Sequence, residues 1–301
     1  MIPAVLPFPE ISPELFSVSL LGMEFALRWY ALAYIVGILL GWLIARTALA
    51  RPGLWAKDSP PMTRAQLEDL LTWIILGVVI GGRLGFVLFY QPGYYLRNPA
   101  EIPMIWQGGM AFHGGFLGVV VATWIYCRRN GLAALSTADL LALATPPGIL
   151  LGRTANFINA ELWGRPSDAP WAVVFPGQYA LCDDGLPCGR HPSQLYEAGL
   201  EGLLLGAALL ILAFGARALR KPGLVAGVFF AGYGAARFIV EFFRLADAQF
   251  ITPDNPYGHV LRLTETLGIT MGQILSLPMI AIGLAVIAIG RRQWRDPGTS
   301  Q

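Results

Sequence analysis

The sequence predicts an all-α polytopic membrane protein. The expected form is a single integral membrane domain over 1–301, with seven transmembrane helices and a small extracytoplasmic head at 161–194. Its N-terminus is expected outside and its C-terminus in the cytoplasm. Three observations predict this. The chain is 55% hydrophobic and 13% charged, with mean hydropathy +0.56, whereas soluble domains carry about 25% charged residues. Its apolar residues gather in runs near the ~20 residues that cross a bilayer. The Lys and Arg of the connections alternate between rich and poor sides.

The apolar runs predict helices over 28–49, 68–90, 111–127, 138–160, 195–214, 222–243 and 272–290. Before Arg28 the charged side chains are Glu10, Glu14 and Glu24, so no basic signal-peptide region is present and the first helix is expected to be retained. Small residues at helical spacing predict close-packed helix faces: Gly37 with Gly41; Gly77, Gly81 and Gly85; Gly114 with Gly118; and Gly223, Gly227, Ala231 and Ala235. Pro146 and Pro147 interrupt the fourth helix.

One set of connections holds Arg46, Arg51, Lys57, Arg64, Arg128, Arg129, Arg217, Arg220, Lys221, Arg291, Arg292 and Arg295. The other holds Arg28, Arg97, Arg165, Arg190, Arg244 and Arg262. This two-to-one bias fixes the expected orientation. Cys182 and Cys188 then fall in the outer 161–194 segment, either as a disulfide on an oxidising face or as two free thiols. Cys127 falls near the cytoplasmic end of the third helix. A net charge of +2, with no basic block beyond Arg-Arg, gives no reason to expect a nucleic-acid partner.

The polar residues inside the predicted spans all fall in the outer half. Arg28 and Tyr30 open the first helix, Arg83 and Tyr90 end the second, and His113 opens the third. Arg153, Asn156 and Asn159 end the fourth, Glu197 and Glu201 open the fifth, and Arg237 and Glu241 end the sixth. An Arg at a bilayer centre costs about 2.5–3.5 kcal/mol on insertion scales, so each needs a partner, water or a task. Arg83, beside Gly81 and Gly82, reads best as a bridge between helices, and Arg237 can pair with Glu241 one turn on. Asn156 and Asn159 share a face with Arg153, and their amides are too short to snorkel far, so the face reads as a cavity lining. His113, followed by Gly-Gly, is the side chain best suited to proton transfer near neutral pH.

Several chemistries are disfavoured. The sequence has no Gly-x-Ser-x-Gly and no His-Glu-x-x-His, and its three His are far apart, so neither a serine hydrolase elbow nor a metal site is expected. Lys57 and Lys221 both lie in connections, where no Schiff-base pigment could form. What remains is a cavity at outer-leaflet depth that carries Arg, His, amides and carboxylates. Arg binds phosphate through bidentate charge-assisted hydrogen bonds, so the residues alone point to a protein that handles phospholipid.

The stretch GRTANFINAELWGR at 152–165 resembles the signature of the bacterial phosphatidylglycerol:prolipoprotein diacylglyceryl transferase family, in which Gly is usual where Ala155 and Ala160 stand. LRWYALAY at 27–34, GGRLGFVLFY at 81–90, GGMAFHGG at 108–115, HPSQLYEA at 191–198 and RFIVEFFR at 237–244 extend the resemblance in the family's order. The resemblance implies transfer of the diacylglyceryl group of phosphatidylglycerol to the lipobox cysteine of a prolipoprotein signal peptide. The reaction takes place at the outer leaflet of the bacterial inner membrane, without metal or organic cofactor.

Carried onto this chain, the resemblance makes His113 the base, and it makes Arg153 and Arg237 the phosphate ligands that stabilise the leaving group. It gives Tyr30, Asn156, Asn159, Glu161 and Glu241 orienting roles. Arg165 and Arg244 are secondary substrate contacts nearer the interface. The rival expectations are a phospholipid or lipopeptide transporter and a phospholipid hydrolase.

Overall fold

The computed structural model describes residues 5–20, 23–182, 185–264 and 267–295. The side chains of Glu24, Arg292 and Arg295, counted in the charge pattern above, lie outside the described ones. The structure is predominantly helical. In chain order it runs β1 (Leu6–Pro7), β2 (Glu14–Leu20), β3 (Met23–Arg28), α1 (Trp29–Leu49), α2 (Arg64–Phe89), α3 (Pro92–Arg97), α4 (Phe112–Asn130), α5 (Ala134–Ala144), α6 (Pro146–Ile158) and β4 (Val173–Val174). It continues with α7 (Ser193–Glu197), α8 (Leu205–Leu210), α9 (Leu224–Val240), β5 (His259–Arg262), β6 (Gly268–Thr270) and α10 (Met271–Arg295). Widened π-helical turns at Ala198–Leu204 and Ile211–Gly215 join α7 and α8 into one rod that ends at Gly215.

Among the described residues, five helical stretches are long and apolar enough to cross a membrane: Trp29–Leu49, Arg64–Phe89, Ala134–Ile158, Ser193–Gly215 and Met271–Arg291. The other two predicted spans are helical but weaker. α4 carries Arg128 and Arg129 in its last turn. α9 has 17 residues, a length of about 25 Å at 1.5 Å per residue, against a hydrocarbon core of about 30 Å.

The chain divides into two compact units, Met1–Ala45 with Asp139–Gln301, and Arg46–Ala138. In the second unit, α2 begins at a capping box in which Thr63 and Gln66 each bond the other's backbone N–H. α2 packs on α4 through glycine. A Cβ on Gly81 would sit 2.4 Å from the Gly114 oxygen, and one on Gly77 2.6 Å from the Gly118 oxygen, so the two backbones touch as the spacing predicts.

In the first unit, a Cβ on Gly41 would sit 2.5 Å from the Ala144 oxygen, and one on Gly37 2.9 Å from the Gly148 Cα, so α1 lies against the α5–α6 break. α9 meets α10 at Gly227, Ala231 and Gly234. Ala235, expected on that face, is exposed. Gly223 does something else: at φ +86° it caps α9, and Asp139, fully buried, accepts the N–H groups of Gly223 (2.7 Å) and Ala226 (2.8 Å).

Two features were not anticipated. Glu14–Leu20 and Met23–Arg28 form an antiparallel pair, so Arg28 ends a strand instead of opening the first helix, and it reaches Glu14 at 3.5 Å. The polar–apolar alternation of Leu15 to Leu20 carried that signal, but the membrane-length window passed over it. The 161–194 segment has a small core of Val173, Phe175 and Ala180, packed by Phe8, Phe157, Ala160 and Trp163. β1 pairs in parallel with β4. Cys182 and Cys188 are disulfide-bonded, which resolves the open alternative, while Cys127 is free and buried.

Candidate active site

In the first unit the polar residues of α6, α7 and the end of α9 meet on one side chain. Glu197 closes α7 with its carboxylate fully buried. Arg237 Nη1 donates to Glu197 Oε1 at 2.6 Å, and Arg244 Nη1 donates to the same oxygen at 2.8 Å. Arg153 Nε lies 3.1 Å from Glu197 Oε2, an ion pair without hydrogen-bond alignment. Arg237 Nη2 also reaches Glu241 Oε2 at 2.9 Å, across one helical turn as expected. Arg244 Nε stands 3.6 Å from that same oxygen.

The three guanidinium side chains stay 15–25% exposed while Glu197 is wholly covered. Two carboxylates, Glu197 and Glu241, therefore make the direct ion pairs with three cations. Each Arg has five N–H donors, so the ion pairs leave donors available. Glu201, one turn past Glu197, is fully buried with both carboxyl oxygens lacking a hydrogen-bond partner among the described residues. Tyr233 lies within electrostatic reach of Arg153.

The signature stretch supplies a second polar group. Asn156 Nδ2 donates to Glu161 Oε1 at 2.7 Å, and Asn159 Nδ2, at the C-cap of α6, reaches that oxygen at 3.5 Å. Glu161 is flanked by Ala160 (φ +50°) and Leu162 (φ +58°), a left-handed pair that L side chains rarely adopt. The buried Gln194 amide bonds the Glu161 carbonyl. Gly164 sits where a Cβ would lie 2.3 Å from the Phe243 oxygen and 2.8 Å from the His191 Cβ, which explains the glycine by close approach. Beyond it Arg165 donates from Nε to the Arg244 oxygen (2.7 Å) and from Nη2 to the Tyr257 oxygen (3.2 Å).

Tyr30, in the first turn of α1, holds its hydroxyl 3.3 Å from that of Tyr34, and Tyr34 is within electrostatic reach of Arg153 and Glu161. His113 belongs to the second unit, in the first turn of α4, with the Phe112 ring edge-on at 5.7 Å.

Arg83 lies in the second unit as well, over the Tyr95 ring at 5.0 Å, and among the described residues its hydrogen bonds run to backbone. Its donors reach the oxygens of Ile102 (2.7 Å), Gly108 (2.6 Å), Gly109 (3.3 Å) and Glu101 (2.8 Å). These bonds tie α2 to the 101–109 loop and not to a second helix, so the expected bridge between helices is a bridge from helix to loop.

Sequence reasoning placed Arg153, Arg237 and Glu241 in the site and left Glu197 without a role. It set Arg244 nearer the interface, whereas Arg244 is the least exposed of the three Arg on Glu197. The HPSQLYEA segment carried the missed signal, because a carboxylate inside an apolar span needs a cation. Among the described residues, no group of three or more His, Cys, Asp or Glu side chains is placed to hold a metal ion. A cluster with surplus guanidinium donors is suited to a phosphate or a developing phosphate charge.

Comparison with known proteins agrees with this chemistry. The model of the prolipoprotein diacylglyceryl transferase family matches residues 17–289. The phosphatidylglycerol–prolipoprotein diacylglyceryl transferase of Ruegeria pomeroyi is 65% identical over 283 residues, which cover 93% of this chain and 96% of the relative. The enzyme of the same name from Roseobacter denitrificans is 62% identical over 290 residues, 96% of this chain and 98% of the relative. That from Rhizobium leguminosarum bv. trifolii is 49% identical over 290 residues, 96% of this chain and 95% of the relative.

Proposed function

This chain belongs to the prolipoprotein diacylglyceryl transferase family, and on that premise we propose that it transfers the diacylglyceryl group of phosphatidylglycerol to the lipobox cysteine of prolipoproteins. The cysteine thiolate attacks the glyceryl carbon that bears the phosphate, and a C–S thioether bond forms as the C–O bond breaks. The electron pair of that bond leaves with the phosphate, giving glycerol phosphate. The thiol proton passes to a base.

The observation that carries this reading is the convergence of Arg153, Arg237 and Arg244 on the buried Glu197 carboxylate. Glu197 fixes the three cations and leaves guanidinium donors unused, so Arg153 and Arg237 bind the lipid phosphate and stabilise the charge that grows on it during departure. Glu241 positions Arg237, and Arg244 completes the cluster. Asn156 and Asn159 hold Glu161 in place to orient the lipid beside Arg153, with Tyr30 next to Tyr34. Arg165 is the outermost substrate contact. His113 takes the thiol proton, because the thiolate is the nucleophilic form of cysteine.

The membrane placement follows the charge pattern: seven spans in the bacterial inner membrane, N-terminus outside, with the site at outer-leaflet depth. The 161–194 head belongs to a single integral domain. Incubating the purified protein with phosphatidylglycerol and a lipobox peptide tests the reading directly. Mass spectrometry should show the diacylglyceryl mass on cysteine, and its absence rejects the transfer. His113→Gln should lose transfer most strongly near neutral pH and recover partly in alkali, where the thiol ionises unaided. A wild-type pH profile removes His113 as the base.

A further inference from the structure

A cavity of about 150 Å³ lies between the outer end of α9 and the β5–β6 hairpin, lined by Arg165, Glu241, Tyr257, His259, Thr270 and Gln273 among others. The reaction as written leaves most of these residues unused. One of them, Glu241, also pairs with Arg237 and Arg244. A phosphate on Arg237 therefore has its substituents one side chain away from this cavity.

Phe242 and Leu267 give the lining an apolar part, and the rest of it is polar. Thr270 Oγ1 donates to Glu241 Oε1 at 3.1 Å, and Gln273 Oε1 accepts the Thr270 N–H at 3.1 Å. A Cβ on Gly272 would sit 2.4 Å from the Glu241 carboxyl carbon, so that carboxylate rests directly on backbone. Arg165 is held by two backbone oxygens and lies over the Tyr257 ring at 5.4 Å.

His259 stacks on Tyr257, with ring centroids 5.6 Å apart and planes 16° from parallel. Gly268 makes room for its ring, since a Cβ there would lie 2.5 Å from the His259 Cγ. The side chain is 8% exposed, yet its Nδ1 is buried with no hydrogen-bond partner among the described residues. Burial, with Arg165 and Arg262 nearby, pushes its pKa below the ordinary range. The ring is therefore neutral at physiological pH, with one nitrogen that donates and one that accepts.

Arg165, Thr270, Glu241 and His259 line the cavity with groups that donate and accept hydrogen bonds, which suits an occupant that carries hydroxyls. We propose that it receives the glycerol of the phosphatidylglycerol headgroup, with His259 reading a hydroxyl; this rests on the transferase reading above. A hydroxyl both gives and accepts, which suits a neutral imidazole next to a Thr–Glu pair. An alkyl headgroup would offer the polar groups of the lining no hydrogen bond, and an ammonium headgroup would face the Arg165 guanidinium. At about 30 Å³ per water, the volume also holds about five waters, and water alone is the rival occupant.

Phosphatidylethanol separates the two, because it keeps the acyl chains and the phosphodiester charge but has no headgroup hydroxyl. With full-length protein in nanodiscs and a lipobox peptide, kcat/KM for phosphatidylglycerol should exceed that for phosphatidylethanol by about tenfold or more, the worth of one to two hydrogen bonds. His259→Phe should lower turnover of phosphatidylglycerol far more than that of phosphatidylethanol, mainly through KM, and bring the two lipids within about threefold. His259→Gln, which keeps a donor and an acceptor, should restore most of the preference.

Equal use of both lipids by the wild type, or an equal fall for both in His259→Phe, overturns the proposal and leaves a cavity for water. So does a His259→Gln variant that behaves as Phe does. Should the wild type transfer from neither lipid, the transferase reading fails first. Calorimetry with glycerol phosphate against ethyl phosphate then decides the cavity: a preference for glycerol phosphate that His259→Phe abolishes supports it, and equal binding rejects it.

Discussion

The chain uses buried arginine in two different ways, and the contrast separates scaffold from chemistry. Arg83, in the second unit, gives its donors to four backbone oxygens of one loop and is 3% exposed. Arg190, in the head of the first unit, does the same with the oxygens of Ala180, Gly164 and Leu181. Arg153, Arg237 and Arg244 instead share carboxylates and remain partly open. Carbonyl oxygens satisfy a guanidinium without leaving it a counter-charge to exchange, and the loop loses its fold if the Arg turns elsewhere. Arg held on a shared carboxylate is oriented in advance and can still accept a phosphate.

The contrast breaks first at Arg153. Arg153→Ala should cut transfer from phosphatidylglycerol by about 10²–10³-fold or more while the melting temperature in detergent stays close to the parent's. Arg237→Ala should behave alike. Retained turnover in either would dissolve the distinction between the two kinds of Arg.

Glu197→Ala should cost both stability and turnover. It leaves three partly buried cations with a single carboxylate, and uncompensated buried charge costs about 3–5 kcal/mol. The partial exposure of the Arg side chains puts the expected loss near 3 kcal/mol, read by denaturant or thermal unfolding in detergent. Glu197→Gln should recover part of the stability and little of the activity, because its amide accepts from Arg without charge.

Arg83→Gln should show the opposite division. Several carbonyls of the 101–109 loop lose a donor, and the variant should be destabilised by about 2 kcal/mol. Proteolysis should then increase within that loop, and turnover should fall only in step with the folded fraction. A fall in turnover beyond that, at full folding, would give Arg83 a chemical role.

Most helices and their packing faces were legible because length and small-residue spacing are local signals. Gly77, Gly81, Gly114 and Gly118 meet as their spacing predicts, and the Arg237–Glu241 pair follows from one turn of helix. Glu197 was illegible as a centre because its partners lie 40 and 47 residues away in sequence, as well as on α6. Arg83 could be read only as a bridge, since backbone oxygens have no residue signature to look for. The β2–β3 pair was lost to a search window set for membrane spans, and Gly223 to a spacing rule that its positive φ overrides. His259 was read only as one of three His too far apart in sequence to suggest a metal site, because its hairpin lies outside every apolar run.

The smallest effect concerns the turn that presents Glu161. Ala160 stands at φ +50° where the family signature usually has Gly. A left-handed Ala costs about 1–2 kcal/mol that Gly avoids. Against this, Gly loses about 0.5–1 kcal/mol more backbone entropy on folding. It also gives up a methyl packed on Val173, Phe175 and Ala180, worth up to about 0.8 kcal/mol if fully buried. The gains and losses nearly cancel, so Ala160→Gly should shift stability by less than about 0.5 kcal/mol in thermal unfolding and leave turnover unchanged. A clear gain would mean that strain beside Glu161 is held in the turn, and a clear loss would mean that the methyl in the head core holds Glu161 toward Asn156.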